Sequence, residues 1–132
     1  MAKTVIERLG WAADRPALVI GRPQGLAALP DLPAAGAGPA GFILAFVGTV
    51  AAVAPAAALA LPCYPVQDGR LWFAYPKRSG PVRTDITRDR GWEALVEAGF
   101  LGVAQVAIDE TWSALRFRRR EEIPRLTRGP RM

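Results

Sequence analysis

The chain has 132 residues, 51% hydrophobic and 22% charged, which is enough for one domain with a core and excludes a wholly disordered polymer. It contains no histidine, so Ser-His-Asp and Cys-His catalysis and every histidine-ligated metal site are excluded. The single Cys63 excludes an intrachain disulfide and a cysteine metal cluster, a usage that fits the reducing cytoplasm, and the net charge is +5.

Lys3, Glu7 and Arg8 stand where a signal peptide would have its apolar run. Val5, Ile6 and Leu9 fall at helical spacing, which predicts a short amphipathic helix over Val5 to Trp11, stopped by Gly10. Ala17-Leu18-Val19-Ile20, bounded by Pro16 and Gly21, reads as a buried strand. Pro23 suits the first turn of a helix predicted over Gln24 to Leu29, and Pro30 to Gly41 reads as loop. Phe42 to Val47 is apolar throughout, as in a strand covered on both faces.

Thr49 to Leu61 is predicted helical, kinked or opened near Pro55. Together Phe42 to Leu61 make 20 residues without a charge, the nominal length of a bilayer span. Eight of them are Ala, Gly48, Thr49 and Pro55 interrupt the run, and no Lys or Arg flanks it. A buried strand followed by a helix explains the pattern without a membrane.

Asp68-Gly69 signals a turn into a strand over Arg70 to Tyr75. Asp89 to Ala98 is predicted helical, with Trp92, Leu95 and Val96 on one face, Glu93 and Glu97 on the other, and Gly99 as its stop. Val103 to Ile108 and Leu115 to Arg119 read as strands joined so closely that only an antiparallel hairpin fits. The order β-α-β-α-β-α-β-β implies an α/β class: a three-layer α/β/α Rossmann-like domain over residues 1–120, with a mainly parallel sheet and a C-terminal antiparallel hairpin. Residues 121–132 read as a basic tail.

Leu9-Gly10-Trp11, Gly21-Arg22-Pro23-Gln24-Gly25, Leu71 to Lys77 (LWFAYPK), Thr84 to Asp89 (TDITRD) and Asp109 to Phe117 (DETWSALRF) together resemble a small bacterial family of uncharacterised proteins. That family is similar to a shortened class I methyltransferase fold, and the resemblance covers about residues 6–120. It implies a methyltransferase-like sheet whose last strand lies antiparallel beside the YPK strand, and it implies no activity.

Open parallel sheets bind ligands beyond the carboxyl ends of their strands. Four connections are expected at that edge: Gly21–Gly25, Val47–Thr49, Pro76–Asp89 and Asp109–Ser113. Gly21 and Gly25 flank a loop placed as a cofactor loop for S-adenosylmethionine would be, but Pro23 occupies the middle position and removes an N–H; the other reading is a tight strand-to-helix turn. Lys77, Arg78, Arg83 and Arg88, among Ser79, Gly80, Thr84 and Thr87, have the composition of an anion site; the other reading pairs Asp85 and Asp89 with Arg88, Arg83 or Lys77 to hold the loop. Asp109 and Glu110 offer a base or a salt bridge to that loop, and Trp112 offers a stacking surface or a plug for the sheet edge.

The functional expectation is a non-catalytic binding or regulatory module with an anion cleft formed by Lys77, Arg78, Ser79, Thr84, Asp85, Thr87, Arg88, Asp109, Glu110 and Trp112, with no metal. The alternatives are a degenerate S-adenosylmethionine-dependent methyltransferase and a nucleic-acid-associated protein acting through its tail. The second draws on residues 116–132, which carry seven Arg against Glu121 and Glu122, while residues 1–115 sum to zero. The helix from Val50 to Leu61 has no charge on any face, which predicts a homodimer through residues 50–65.

Overall fold

The computed structural model describes residues 4–11, 16–24, 26–27, 29–30, 40–65 and 69–123. Its elements are α1 (Val5–Arg8), β1 (Ala17–Ile20), β2 (Phe42–Phe46), α2 (Val50–Ala60), β3 (Arg70–Pro76), α3 (Glu93–Glu97), β4 (Phe100–Ala107) and β5 (Trp112–Arg119). They form one five-stranded sheet in the order β1-β2-β3-β5-β4. β1 pairs with β2 and β2 with β3 in parallel, whereas β5 is antiparallel to both β3 and β4.

The three-layer Rossmann-like, methyltransferase-like expectation is therefore corrected. The sheet is mixed, with as many antiparallel as parallel pairings, and the described helices span only four, eleven and five residues. The reason lies in the strand order. A doubly wound sheet reverses direction once, which sends helices to both faces and opens a crevice at the reversal. Here the chain moves one way, from β1 to β2 to β3 and then past β5 to β4. The described part of the β1-to-β2 connection, with Leu26 and Leu29, packs on one face. The β2-to-β3 and β3-to-β4 connections, which carry α2 and α3, advance the same way and with a single hand deliver both helices to the other face. Accordingly α2 and α3 pack on each other, against Ile43, Ala45, Leu71, Phe73, Leu115 and Phe117.

The opposite face carries Phe42, Leu44, Trp72, Ala74 and Ala114 and has no such layer. It is covered by α1 together with Leu9, Trp11, Leu26 and Leu29. α1 is only one turn long, so isolated propensity cannot hold it. A capping box closes its start, with the Thr4 N–H donating to Glu7 Oε1 at 2.8 Å and the Glu7 N–H donating to Thr4 Oγ1 at 3.3 Å. Its end is tied to the sheet by the Trp72 indole N–H, which donates to the buried Leu9 carbonyl at 2.7 Å.

The helix expected over Gln24 to Leu29 is absent among the described residues of that segment. The Arg22 guanidinium takes its carbonyls instead, donating to Leu26 O at 3.1 Å, Leu29 O at 2.6 Å and Pro30 O at 2.9 Å. A segment whose carbonyls are satisfied by a side chain has no need of a helical ladder. The loop read over Pro30 to Gly41 lies almost wholly outside the described residues. The long α2 carries Pro55 in its second turn and keeps Val53, Ala56, Ala57 and Ala60 buried.

Among the described residues no helix is long and apolar enough to cross a membrane. The strands of the final hairpin both run further than their sequence pattern indicated. β4 begins at Phe100 and carries an irregularity between Gly102 and Ala104, while β5 begins at Trp112.

Candidate functional site

β3 ends at Pro76 in the middle of the sheet, and the chain then runs through Lys77-Arg78-Ser79-Gly80 beside the β4–β5 turn. The two segments meet through their backbones: the Lys77 N–H donates to the Thr111 carbonyl at 2.8 Å. The turn itself is closed by Asp109, whose Oδ1 accepts from the Thr111 N–H at 2.8 Å and the Trp112 N–H at 2.7 Å. This short carboxylate clasp is the local reason that β5 starts as early as Trp112.

On the face that carries α2 and α3, this end of the sheet is left open as a cleft of about 630 Å³. Its floor is a trio of side chains from three adjacent strands: Tyr75 of β3, Ser113 of β5 and Gln105 of β4. Tyr75 and Ser113 are direct cross-strand partners, each 4% exposed. Gln105 Nε2 donates to the Tyr75 hydroxyl at 2.8 Å and to Ser113 Oγ at 3.0 Å. The Tyr75 ring also packs edge-on against Trp92, with centroids 5.6 Å apart. Burial pushes the Tyr75 phenol up from its ordinary value of 10.0, with the neighbouring Asp89 acting in the same sense and Ser113 and Arg88 opposing.

One rim of the cleft is the β3 exit, Lys77, Arg78 and Ser79; another is the turn that carries Thr87, Arg88 and Asp89. That turn is built rigidly. Thr87 and Arg90 bridge each other, the Asp89 N–H donates to Thr87 Oγ1 at 3.2 Å, and the Trp92 indole N–H donates to the carbonyls of Thr87 at 2.9 Å and Arg88 at 3.1 Å. Gly91 follows at φ 106° so that the chain can re-enter α3; a Cβ there would lie 2.9 Å from Val50 Cγ2. The predicted helix start at Asp89 accordingly moves to Glu93.

Lys77, Arg78 and Arg88 have no carboxylate within ion-pair distance among the described residues. The loop-holding pairing of these cations with Asp85 and Asp89 is thus not what the structure contains. Thr84 and Asp85 stand outside the cleft of the floor trio and hold the fold: Thr84 Oγ1 donates to the Gly48 carbonyl at 2.8 Å, and Asp85 Oδ1 accepts from the Val50 N–H at 2.8 Å. Asp85 thereby caps α2, whose own N-cap Thr49 makes no side-chain cap bond. A smaller hollow of about 240 Å³ lies beside this strap, lined by Arg78, Gly80, Val82, Arg83 and Thr84.

The remaining sequence candidates are placed elsewhere. Asp109 is occupied by its turn, and Glu110 is exposed and does not line the cleft. Trp112 belongs to the opposite face, edge-on to Phe46 at 5.2 Å between centroids. Gly21 has φ 70°, and a Cβ on it would come within 2.9 Å of the Phe46 carbonyl oxygen, so its glycine serves the close approach of β1 and β2. Gly25 lies outside the described residues. No group of three or more metal-ligating side chains occurs among the described residues.

Tyr75 and Gln105 are hidden in the sequence because each sits inside a strand that reads as core, and Ser113 because it reads as the last residue of the Asp109–Ser113 connection, beside two carboxylates and an indole. A signal was present: Gln105 is the one polar side chain between Phe100 and Ile108. Part of the charge assigned to the tail is also structural. Arg116, Arg118 and Arg119 belong to β5, and Arg119 lies 4.7 Å from the Tyr64 ring centroid while donating to Pro65 O at 3.0 Å. Residues 121–132 then hold three Arg against two Glu, a net +1, and those beyond 123 lie outside the described residues. No protein-family model, curated protein sequence or solved structure matches the chain.

Proposed function

We propose that this protein is a cytoplasmic, non-catalytic binding module whose cleft takes a small phosphate-type anion. The observation that carries the reading is that Lys77, Arg78 and Arg88 line one cleft beside the Ser79 and Thr87 hydroxyls, outnumbering Asp89 and with no carboxylate in ion-pair distance among the described residues. Three cations and one carboxylate on the lining leave a net positive charge, which an oxyanion neutralises while accepting charge-assisted hydrogen bonds. The S-adenosylmethionine alternative finds no support in the Gly21 loop, where Arg22 is engaged by three carbonyls of the chain. The nucleic-acid alternative is weakened by the net charge of only +1 over residues 121–132. The resemblance to the small bacterial family stays part of this proposal without its methyltransferase-like fold.

The test is calorimetric titration with inorganic phosphate in a phosphate-free buffer, repeated with a Lys77→Ala, Arg88→Ala variant. Charge-assisted hydrogen bonds contribute about 1.5–3 kcal/mol each, so the double variant weakens binding at least about tenfold. Absence of phosphate binding by the wild type, or equal binding by the variant, refutes the reading. S-adenosylhomocysteine in the same experiment gives a flat trace.

The proposal includes a homodimer through residues 50–65. Ala51, Ala54, Pro55, Ala58, Leu59 and Pro62 are exposed at helical spacing along α2 and the turn after it, with Leu59 62% exposed. A solvent-facing helix face ordinarily carries charge, and this one has none. Light scattering at roughly tens of micromolar then reads a dimer that Leu59→Glu converts to a monomer; a monomeric wild type refutes it.

A further inference from the structure

The cleft is open to solvent, and at about 630 Å³ it has more room than an inorganic anion fills, enough for an organic small molecule. What surrounds that extra space identifies the rest of the ligand. The floor is polar and uncharged, and its hydrogens can be counted. Gln105 Nε2 spends both N–H groups on the Tyr75 and Ser113 oxygens, which leaves its Oε1 as an open acceptor. The Tyr75 and Ser113 hydroxyls each accept from Gln105, and neither has a hydrogen-bond acceptor of its own among the described residues. The floor thus presents hydroxyl donors and a C=O acceptor side by side, and Asp89 adds a second acceptor at the rim.

A ligand group that both donates and accepts at each position, as an alcohol does, fits this arrangement. A planar base would need an exposed aromatic face to stack on. The cleft offers none: Tyr75 is buried, and Trp92 is buried behind it. For an acyl chain the described lining residues supply a single aliphatic side chain, Ala107.

Building on the anion reading, we propose that the ligand is a phosphomonoester of a polyhydroxylated carbon skeleton, a sugar phosphate. Its phosphate sits among Lys77, Arg78 and Arg88, and its hydroxyls sit on Gln105, Ser113 and Tyr75. The experiment compares inorganic phosphate, ribose 5-phosphate and adenosine 5′-monophosphate by calorimetry on the full chain. Ribose 5-phosphate is expected to bind at least about tenfold more tightly than the inorganic ion, and Gln105→Leu to lower it to the affinity of the inorganic ion. Gln105 is exposed on an edge strand, so the variant keeps the core intact, and the ranking of ligands on the wild type tests the proposal without it. Phosphate and sugar phosphate binding alike overturns the inference and leaves the anion site standing. Adenosine 5′-monophosphate binding more tightly than ribose 5-phosphate also overturns it, in favour of a nucleotide. If none of the three binds, both readings fall.

Discussion

The substitution Asp85→Ala separates the fold from the cleft and has a magnitude set by one bond. Asp85 Oδ1 accepts from the Val50 N–H at 2.8 Å across 35 residues of sequence, and α2 has no side-chain cap of its own. Losing an N-cap acceptor costs about 1 kcal/mol. Because Asp85 is exposed, its charge at the positive end of the α2 dipole adds only about 0.3 kcal/mol more. Val53, Ala56, Ala57 and Ala60 keep α2 docked, so the transition remains cooperative and only its position moves. For a domain this small the urea midpoint falls by about half a molar to one molar with an unchanged slope. Asp85→Asn retains the acceptor and stays within about 0.5 kcal/mol of the wild type. A midpoint for Asp85→Ala indistinguishable from the wild type would refute the cap. So would an Asn variant as unstable as the Ala variant, since the bond would then not be the cause.

Gly91→Ala places a Cβ 2.9 Å from Val50 Cγ2 at φ 106°, and the combined strain lowers stability by about 1–3 kcal/mol in the same urea assay. The Tyr75 phenol is raised above 10.0 in the folded state, so between 10.0 and that higher value the unfolded chain has released a proton that the folded chain keeps. Stability therefore falls as pH rises past 10.0, and Tyr75→Phe loses less over that range; parallel curves for the two proteins would contradict the burial argument.

The strands were legible because their signal is local. Ala17–Ile20 and Phe42–Phe46 are short apolar runs between chain breakers, and the hairpin follows from the few residues separating two β-rich segments. The layers were not legible, because nothing in a strand pattern records the direction in which successive crossovers advance. Leu26 and Leu29 have helical spacing, yet their carbonyls go to Arg22, a long-reaching donor that periodicity does not detect. The candidate site divided in the same way. Lys77, Arg78 and Arg88 stand out in a loop by their charge alone, and Thr84 and Asp85, close to them in sequence, are turned to the start of α2. Tyr75 and Ser113 become neighbours only through the antiparallel register of β3 and β5, a relation between segments 38 positions apart.

The last strand among the described residues lies inside the sheet. β5 separates β3 from β4, and among the described residues β4 has no other strand beside it. β1, β2 and β3 can assemble in the order in which they leave the ribosome, but they then present the open flank of β3, whose Leu71–Pro76 stretch is entirely buried in the finished protein. Closure arrives as a single event: β4 and β5 zip locally into a hairpin, and its inner strand docks on β3. A nascent chain short of Trp112 therefore carries an apolar flank with no partner for as long as translation takes, the condition in which intermolecular pairing competes with folding.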